Sequence, residues 1–134
     1  MKILVIDGQG GGIGRALIEK LRARLPEAEL LAVGANAIAT SAMLRAGADA
    51  AATGENAVRV CARDADVIAG PIGILLKDAM MGEITGAMAN AVAESPAQRV
   101  LVPVQRCATT IAGVGGQPLQ ALLEDAVEQI AKLS

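Results

Sequence analysis

The chain has 134 residues, is 53% hydrophobic and 19% charged, and carries a formal net charge of −2, the composition of one compact globular domain. It contains no Phe, Tyr, Trp or His. A histidine base, a tyrosine acid, a Ser-His-Asp or Cys-His nucleophile and a histidine metal site are therefore excluded within one chain, and so is stacking of a base on an aromatic side chain.

Lys2 to Asp7 is a β-branched apolar run without alternation, which predicts a strand buried on both faces. A glycine cluster follows, and then Ile13, Ala16, Leu17, Leu21 and Leu25 mark one helix face that Pro26 ends. Glu29 to Val33 reads as a second strand. Asn36 is the expected N-cap and Gly47 the expected C-terminal cap of a second helix. Asp49 to Thr53 is a weak strand and Asn56 to Ala65 a helix. Asp66 to Gly70 is a fourth buried strand, followed by a helical region that breaks near Met81-Gly82 and restarts at Thr85. Arg99 to Val104 is a fifth strand, Thr109 to Val114 an expected sixth, antiparallel to it, and Pro118 opens an amphipathic last helix. This alternation predicts an α/β fold: a three-layer, Rossmann-like, mainly parallel sheet of order 3-2-1-4-5 with helices on both faces, residues 1–134 forming one domain.

The chemistry-bearing feature is the cluster Gly8-Gln9-Gly10-Gly11-Gly12-Ile13-Gly14 between a buried strand and a helix. Glycines let backbone approach an anion, and the helix start offers free N–H groups and the positive end of its dipole. The dinucleotide pattern GxGxxG fails at Ile13, and the P-loop fails because Gly14-Arg15-Ala16 stands where Gly-Lys-Ser/Thr would be needed. The spacing that fits is GxxxGxG, which resembles the cofactor loop of short-chain dehydrogenases as far as the first strand, loop and helix. That resemblance implies NAD(P) or another nucleotide as a possible cofactor. It does not bring the catalytic tyrosine, because the chain has none, nor the acidic ribose clamp, because Gly34-Ala35-Asn36 stands in its place. The plainer reading is that the glycines only permit close helix–strand packing. Asp7 would repel an anion unless it accepts loop N–H groups or holds a metal, and its simplest role is in the turn.

In open parallel sheets ligands sit at the carboxyl ends of the strands. That edge collects Gln9, Asn36, Thr40, Ser41, Thr53, Glu55, Asn56, Gly70, Pro71, Gln105 and Arg106 as candidates, each with capping or turn chemistry as its ordinary role. Met80, Met81 and Met88 are core filler or an adaptable binding surface. Cys61 and Cys107 have neither CxxC nor zinc spacing, so no metal site is expected. A pI near 5.1 speaks against nucleic acid. No stretch reads as a signal peptide or a membrane span, so the expected setting is cytoplasmic.

The strings Val5 to Gly14, Asn36 to Leu44, Ala52 to Ala57, Gly70 to Gly73 and Gly82 to Thr85 together resemble a family of short bacterial proteins, common in anaerobic Firmicutes, known as a domain of unknown function. The resemblance spans the chain and implies a free-standing Rossmann-like domain. It assigns no catalytic residue. The reading that follows is a protein that binds a nucleotide, dinucleotide or phosphometabolite in a sensing or regulatory role. The alternatives are a cofactor-dependent oxidoreductase assisted by Glu55, Lys77 or Asp7, and a structural subunit with a vestigial loop. The alanine-rich, ring-free core and the nearly uncharged second helix predict a homo-oligomer.

Without Trp or Tyr the protein should absorb almost nothing near 280 nm. The purified protein should therefore reveal any co-purifying adenine, reduced nicotinamide or flavin as an absorbance band of its own.

Overall fold

The computed structural model describes residues 1–104 and 109–134. Its frame is a five-stranded sheet, β1 (Lys2–Asp7), β2 (Glu29–Gly34), β3 (Ala50–Thr53), β4 (Val67–Pro71) and β5 (Gln98–Val102), in the order β3-β2-β1-β4-β5. All four pairings are parallel. The fold is the α/β one expected, and Asp7 at the end of β1 lies level with Gly34 of β2.

Side-chain alternation along β1 supplies two cores. Ile3 and Val5 point to the face covered by α1 (Gly12–Arg24), α2 (Ala37–Ala46) and α5 (Leu119–Ala131), where Leu17, Leu21, Met43, Leu123 and Ile130 are buried. Leu4 and Ile6 point to the face covered by α3 (Glu55–Cys61) and α4 (Gly86–Glu94), where Val58, Ile84, Met88 and Val92 are buried. Burial on both sides is why β1 reads as an unbroken apolar run.

The caps fall where the sequence puts them. The Asn36 side chain accepts the Ala39 N–H at 2.9 Å, Gly47 ends α2 at φ +124°, and the Thr85 hydroxyl accepts the Met88 N–H at 3.1 Å. Asn56 does not cap α3; Gly54 holds that position and Asn56 lies exposed in the first turn. The helix expected over Asn56 to Ala65 stops at Cys61.

Two expectations fail. Residues 109–114 form no strand: the Val114 N–H closes back on the Ile111 carbonyl at 3.1 Å, and Gly113 at φ +85° makes the turn that an extended strand cannot contain. After β4 there is only one turn of 3-10 helix (Ile72–Leu75) before α4, not a broken α-helix. Asp78, Met80 and Met81 adopt φ of +68°, +59° and +58°, followed by Gly82 at +91°, a left-handed path that costs roughly 1–2 kcal/mol per non-glycine residue.

At the amino edge of the sheet, Asp49 and Leu30 bond reciprocally: the Asp49 carboxylate accepts the Leu30 N–H, and the Asp49 N–H donates to the Leu30 carbonyl, both at 2.8 Å. Arg22 donates to the same carboxylate at 2.8 Å and to the carbonyls of Gly47 and Ala28. The Leu30 N–H and then the Arg22 guanidinium hold the Asp49 carboxyl below its ordinary range. A lowered folded-state pKa gives stability that is present above the unfolded value and lost as pH falls through the folded one. The melting temperature should therefore drop as pH is lowered below the normal carboxylate range. In Asp49→Asn that drop should be smaller, from a lower starting point, as followed by thermal denaturation across pH.

Candidate functional site

The loop from β1 to α1 is shaped by one carboxylate. Asp7 is buried, and it accepts the Gly8 N–H on Oδ1 and the Gly14 N–H on Oδ2, both at 2.7 Å. The Gly11 N–H turns back to the Gly8 carbonyl at 2.9 Å, and Gly11 sits at φ +71° as the N-cap of α1. The glycines differ in role. A side chain on Gly11 would meet the Ala39 backbone at 2.9 Å, and one on Gly14 would meet the Met43 sulfur at 2.5 Å and Asp7 at 2.9 Å. Around Gly10 and Gly12 the space is open. Packing accounts for the first pair and not for the second.

From behind, two side chains brace the loop. Glu83 accepts the Gln9 N–H and, through its other oxygen, the Asn36 amide at 2.8 Å, while that amide also donates to the Gln9 carbonyl at 2.9 Å. Gln9 is held at φ +49°. Within the described residues the N–H groups of Gly10, Gly12 and Ile13 meet no acceptor. Unbonded N–H groups at the start of a helix are what an anion needs.

These groups border a cleft of about 570 Å³ at the carboxyl ends of β1 and β4. The strand order reverses between those two strands, which is where α/β sheets open a crevice. One wall is the glycine loop from Asp7 to Ile13; the other comes from Pro71, Ile72, Leu76, Met80 and Met81, closed at one end by Leu119 and Leu123 of α5. Arg15 is the one cation among the described lining residues, and it pairs with Glu19 at 2.9 Å on the exposed flank of α1.

Of the sequence candidates, the cleft brings together Asp7, Gly8, Gln9, Gly10, Gly11, Gly12, Ile13 and Pro71. Gly14 lies beneath the loop, and Gly70 is inside β4. Asn36 acts on the loop from behind. Thr40 and Thr53 share a hydrogen bond of 2.7 Å that ties α2 to β3, away from the cleft. Glu55 accepts the Thr85 hydroxyl at 2.6 Å, joining the starts of α3 and α4. Neither Glu55, Asn56 nor Lys77 lines the cleft. Gln105, Arg106 and Cys107 lie outside the described residues. Burial pushes the Cys61 thiol above its ordinary pKa, which suits a packing role.

Sequence reasoning missed Glu83 as part of this site, while Met80 and Met81, read as core filler or an adaptable binding surface, line the cleft. Glu83 is the lone charged residue in the stretch Met80 to Ala89, but nothing in the sequence says that it reaches Gln9.

A family model matches residues 2–134. The chain belongs to DUF3842, a domain of unknown function. No curated protein matches it. Among solved structures it is similar to the crystal structure of a dodecameric FMN-dependent Ubix-like decarboxylase from Escherichia coli O157:H7, at 18% identity and a TM-score of 0.48, covering 99% of this chain and 76% of that one. A likeness of that level transfers neither ligand nor assembly to this DUF3842 chain. No helix is long and apolar enough to cross a membrane, and among the described residues no three His, Cys, Asp or Glu side chains are grouped to hold a metal ion.

The division between packed and open glycines is testable by stability alone. Gly14→Ala should destabilise by about 1–3 kcal/mol through overpacking. Gly12→Ala should be neutral or stabilise by up to about 1 kcal/mol, because the added methyl meets nothing and the helix gains. Urea denaturation of the two variants distinguishes them.

Proposed function

We propose that the protein binds a small phosphate-bearing ligand, a nucleotide, dinucleotide or other phosphometabolite, at the Gly8–Gly14 loop, and that it senses or regulates rather than catalyses. The observation that carries this reading is the set of N–H groups at Gly10, Gly12 and Ile13 that meet no acceptor among the described residues, on the border of an open cleft. A volume of about 570 Å³ is of ligand-binding size. The positive end of the α1 dipole adds to the attraction. Asp7 lowers it, yet the carboxylate already accepts two loop N–H groups, so its charge is partly screened from the cleft.

Sensing is favoured over reaction by the lining itself. Its described side chains are mostly aliphatic or thioether, with Asp7, Gln9, Arg15, Thr109 and Gln120 as the polar ones. Asp7 and Arg15 are engaged by other groups of the chain, so among the described residues no free acid–base pair lines the cleft. An assembled form of the chain is part of the same proposal. Ile38 is 72% and Leu44 48% exposed on α2, apolar area that a second copy would cover.

Thermal shift with a panel of nucleotides, dinucleotides and sugar phosphates is the direct test, since a ligand at a hundred times its dissociation constant stabilises by roughly 2.7 kcal/mol. At least one of the panel should raise the melting temperature, and Gly12→Leu should abolish the rise while leaving the unliganded melting temperature near that of the parent. No shift with any of the panel, or a shift that survives Gly12→Leu, defeats the reading. Sedimentation at micromolar concentration should give a species larger than 13.5 kDa, and Ile38→Lys should reduce it.

A further inference from the structure

The cleft has two unlike halves. On the glycine side it offers backbone N–H groups; on the other it is bounded by Ile72, Leu76, Met80, Met81 and Leu119. A sugar phosphate without an aromatic ring is polar over its whole surface, and these five side chains offer its hydroxyl groups no hydrogen bond in return for their hydration. A molecule that joins a phosphate to a flat, apolar-faced ring matches both halves.

The methionines stand on a backbone that non-glycine residues avoid. Asp78, Met80, Met81 and Gly82 wind left-handed, and the turn is closed by the Gly82 N–H on the Asp78 carbonyl at 3.0 Å. It is fastened at its base by the Asp78 N–H on the carbonyl of buried Ile84 at 2.7 Å, and to the glycine loop by Glu83 on the Gln9 N–H. The Met80 sulfur lies across Gly8, 2.7 Å from where a side chain there would begin. Met81 beside it is 97% exposed. Packing within the chain explains Met80. It does not explain an apolar side chain held in solvent, on strained backbone, at the rim of a cleft, and strain of this kind collects at ligand clamps.

We propose that Met80 and Met81 are a ring subsite, so that the ligand is of the nucleotide class, its phosphate on the N–H groups of Gly10, Gly12 and Ile13 and its flat ring against the two thioethers. The assignment rests on the loop-binding reading above and chooses among the ligand classes left open there. Thioether sulfur makes favourable contacts with aromatic rings, and a chain without Phe, Tyr, Trp or His has no ring of its own to offer. Glu83 is a positioning residue in this arrangement: it holds the methionine turn and the glycine loop at a fixed separation.

The test is calorimetric titration of the full chain with AMP, nicotinamide mononucleotide and FMN, each against ribose 5-phosphate. At least one of the three probes that carry an aromatic ring should bind about tenfold or more tightly than ribose 5-phosphate. Met81→Asn, which keeps a residue tolerant of left-handed backbone, should weaken that probe roughly fivefold through loss of the thioether contact and leave ribose 5-phosphate unchanged. Met81→Leu should fall between the two. If ribose 5-phosphate binds as well as every probe with an aromatic ring, or if Met81→Asn leaves all affinities alone, the ring subsite is refuted while the loop reading stands. Binding of none of the four refutes both.

Discussion

The site depends on a side chain standing in for a cap. Helix α1 begins at a glycine, so its own N-cap has no oxygen to offer the exposed N–H groups. Asp7 supplies one from the end of the adjoining strand, and by gripping Gly8 with its other oxygen it ties the two ends of the loop together. With both ends fixed, the residues between them stand out from the sheet edge, and the N–H groups of Gly10, Gly12 and Ile13 meet no acceptor among the described residues. Asp7, an awkward neighbour for an anion when read in sequence, is thus the reason that the loop has a defined shape. Strand β1 can carry it because Ile3 to Ile6 are buried and give the carboxylate a rigid base.

The lack of aromatic rings sets how the elements meet. Alanine and glycine bring α2 against the loop closely enough that Ala39 touches Gly11 and Met43 touches Gly14. Remaining gaps are filled by methionine, whose unbranched chain adapts to irregular spaces. The same economy leaves α2 with Ile38 and Leu44 facing outward, since a helix of small residues buries only a narrow stripe.

Most of the frame was legible from local pattern. An unalternating run for β1, punctuation by Pro26 and Gly47, and oxygen-bearing caps at Asn36 and Thr85 each have one physical meaning, and the structure has each of them. Illegible parts had physical causes as well. Thr109 to Val114 has strand-like composition, yet Gly113 turns the chain there. The stretch 76–84 has helical composition but takes left-handed dihedrals at Asp78, Met80 and Met81, which no residue type announces. Glu83 was unreadable for the same reason, because its reach to Gln9 exists only once that turn is wound. For the site, the loop itself was legible, whereas which of its glycines were packed and which open required neighbours distant in sequence.

The strand order has a consequence for how the chain comes to be folded. Residues 1–53 contain everything needed for β1, β2 and β3 to pair side by side. The other edge of β1 must wait for β4, more than sixty positions later in the chain. During synthesis β1 therefore emerges before the strand that pairs its second edge, and that hydrogen-bonding edge is open in the interval. Pairings of such long sequence separation also form slowly. A half-sheet of β1, β2 and β3 would offer that edge to wrong partners until Val67 to Pro71 pair with it.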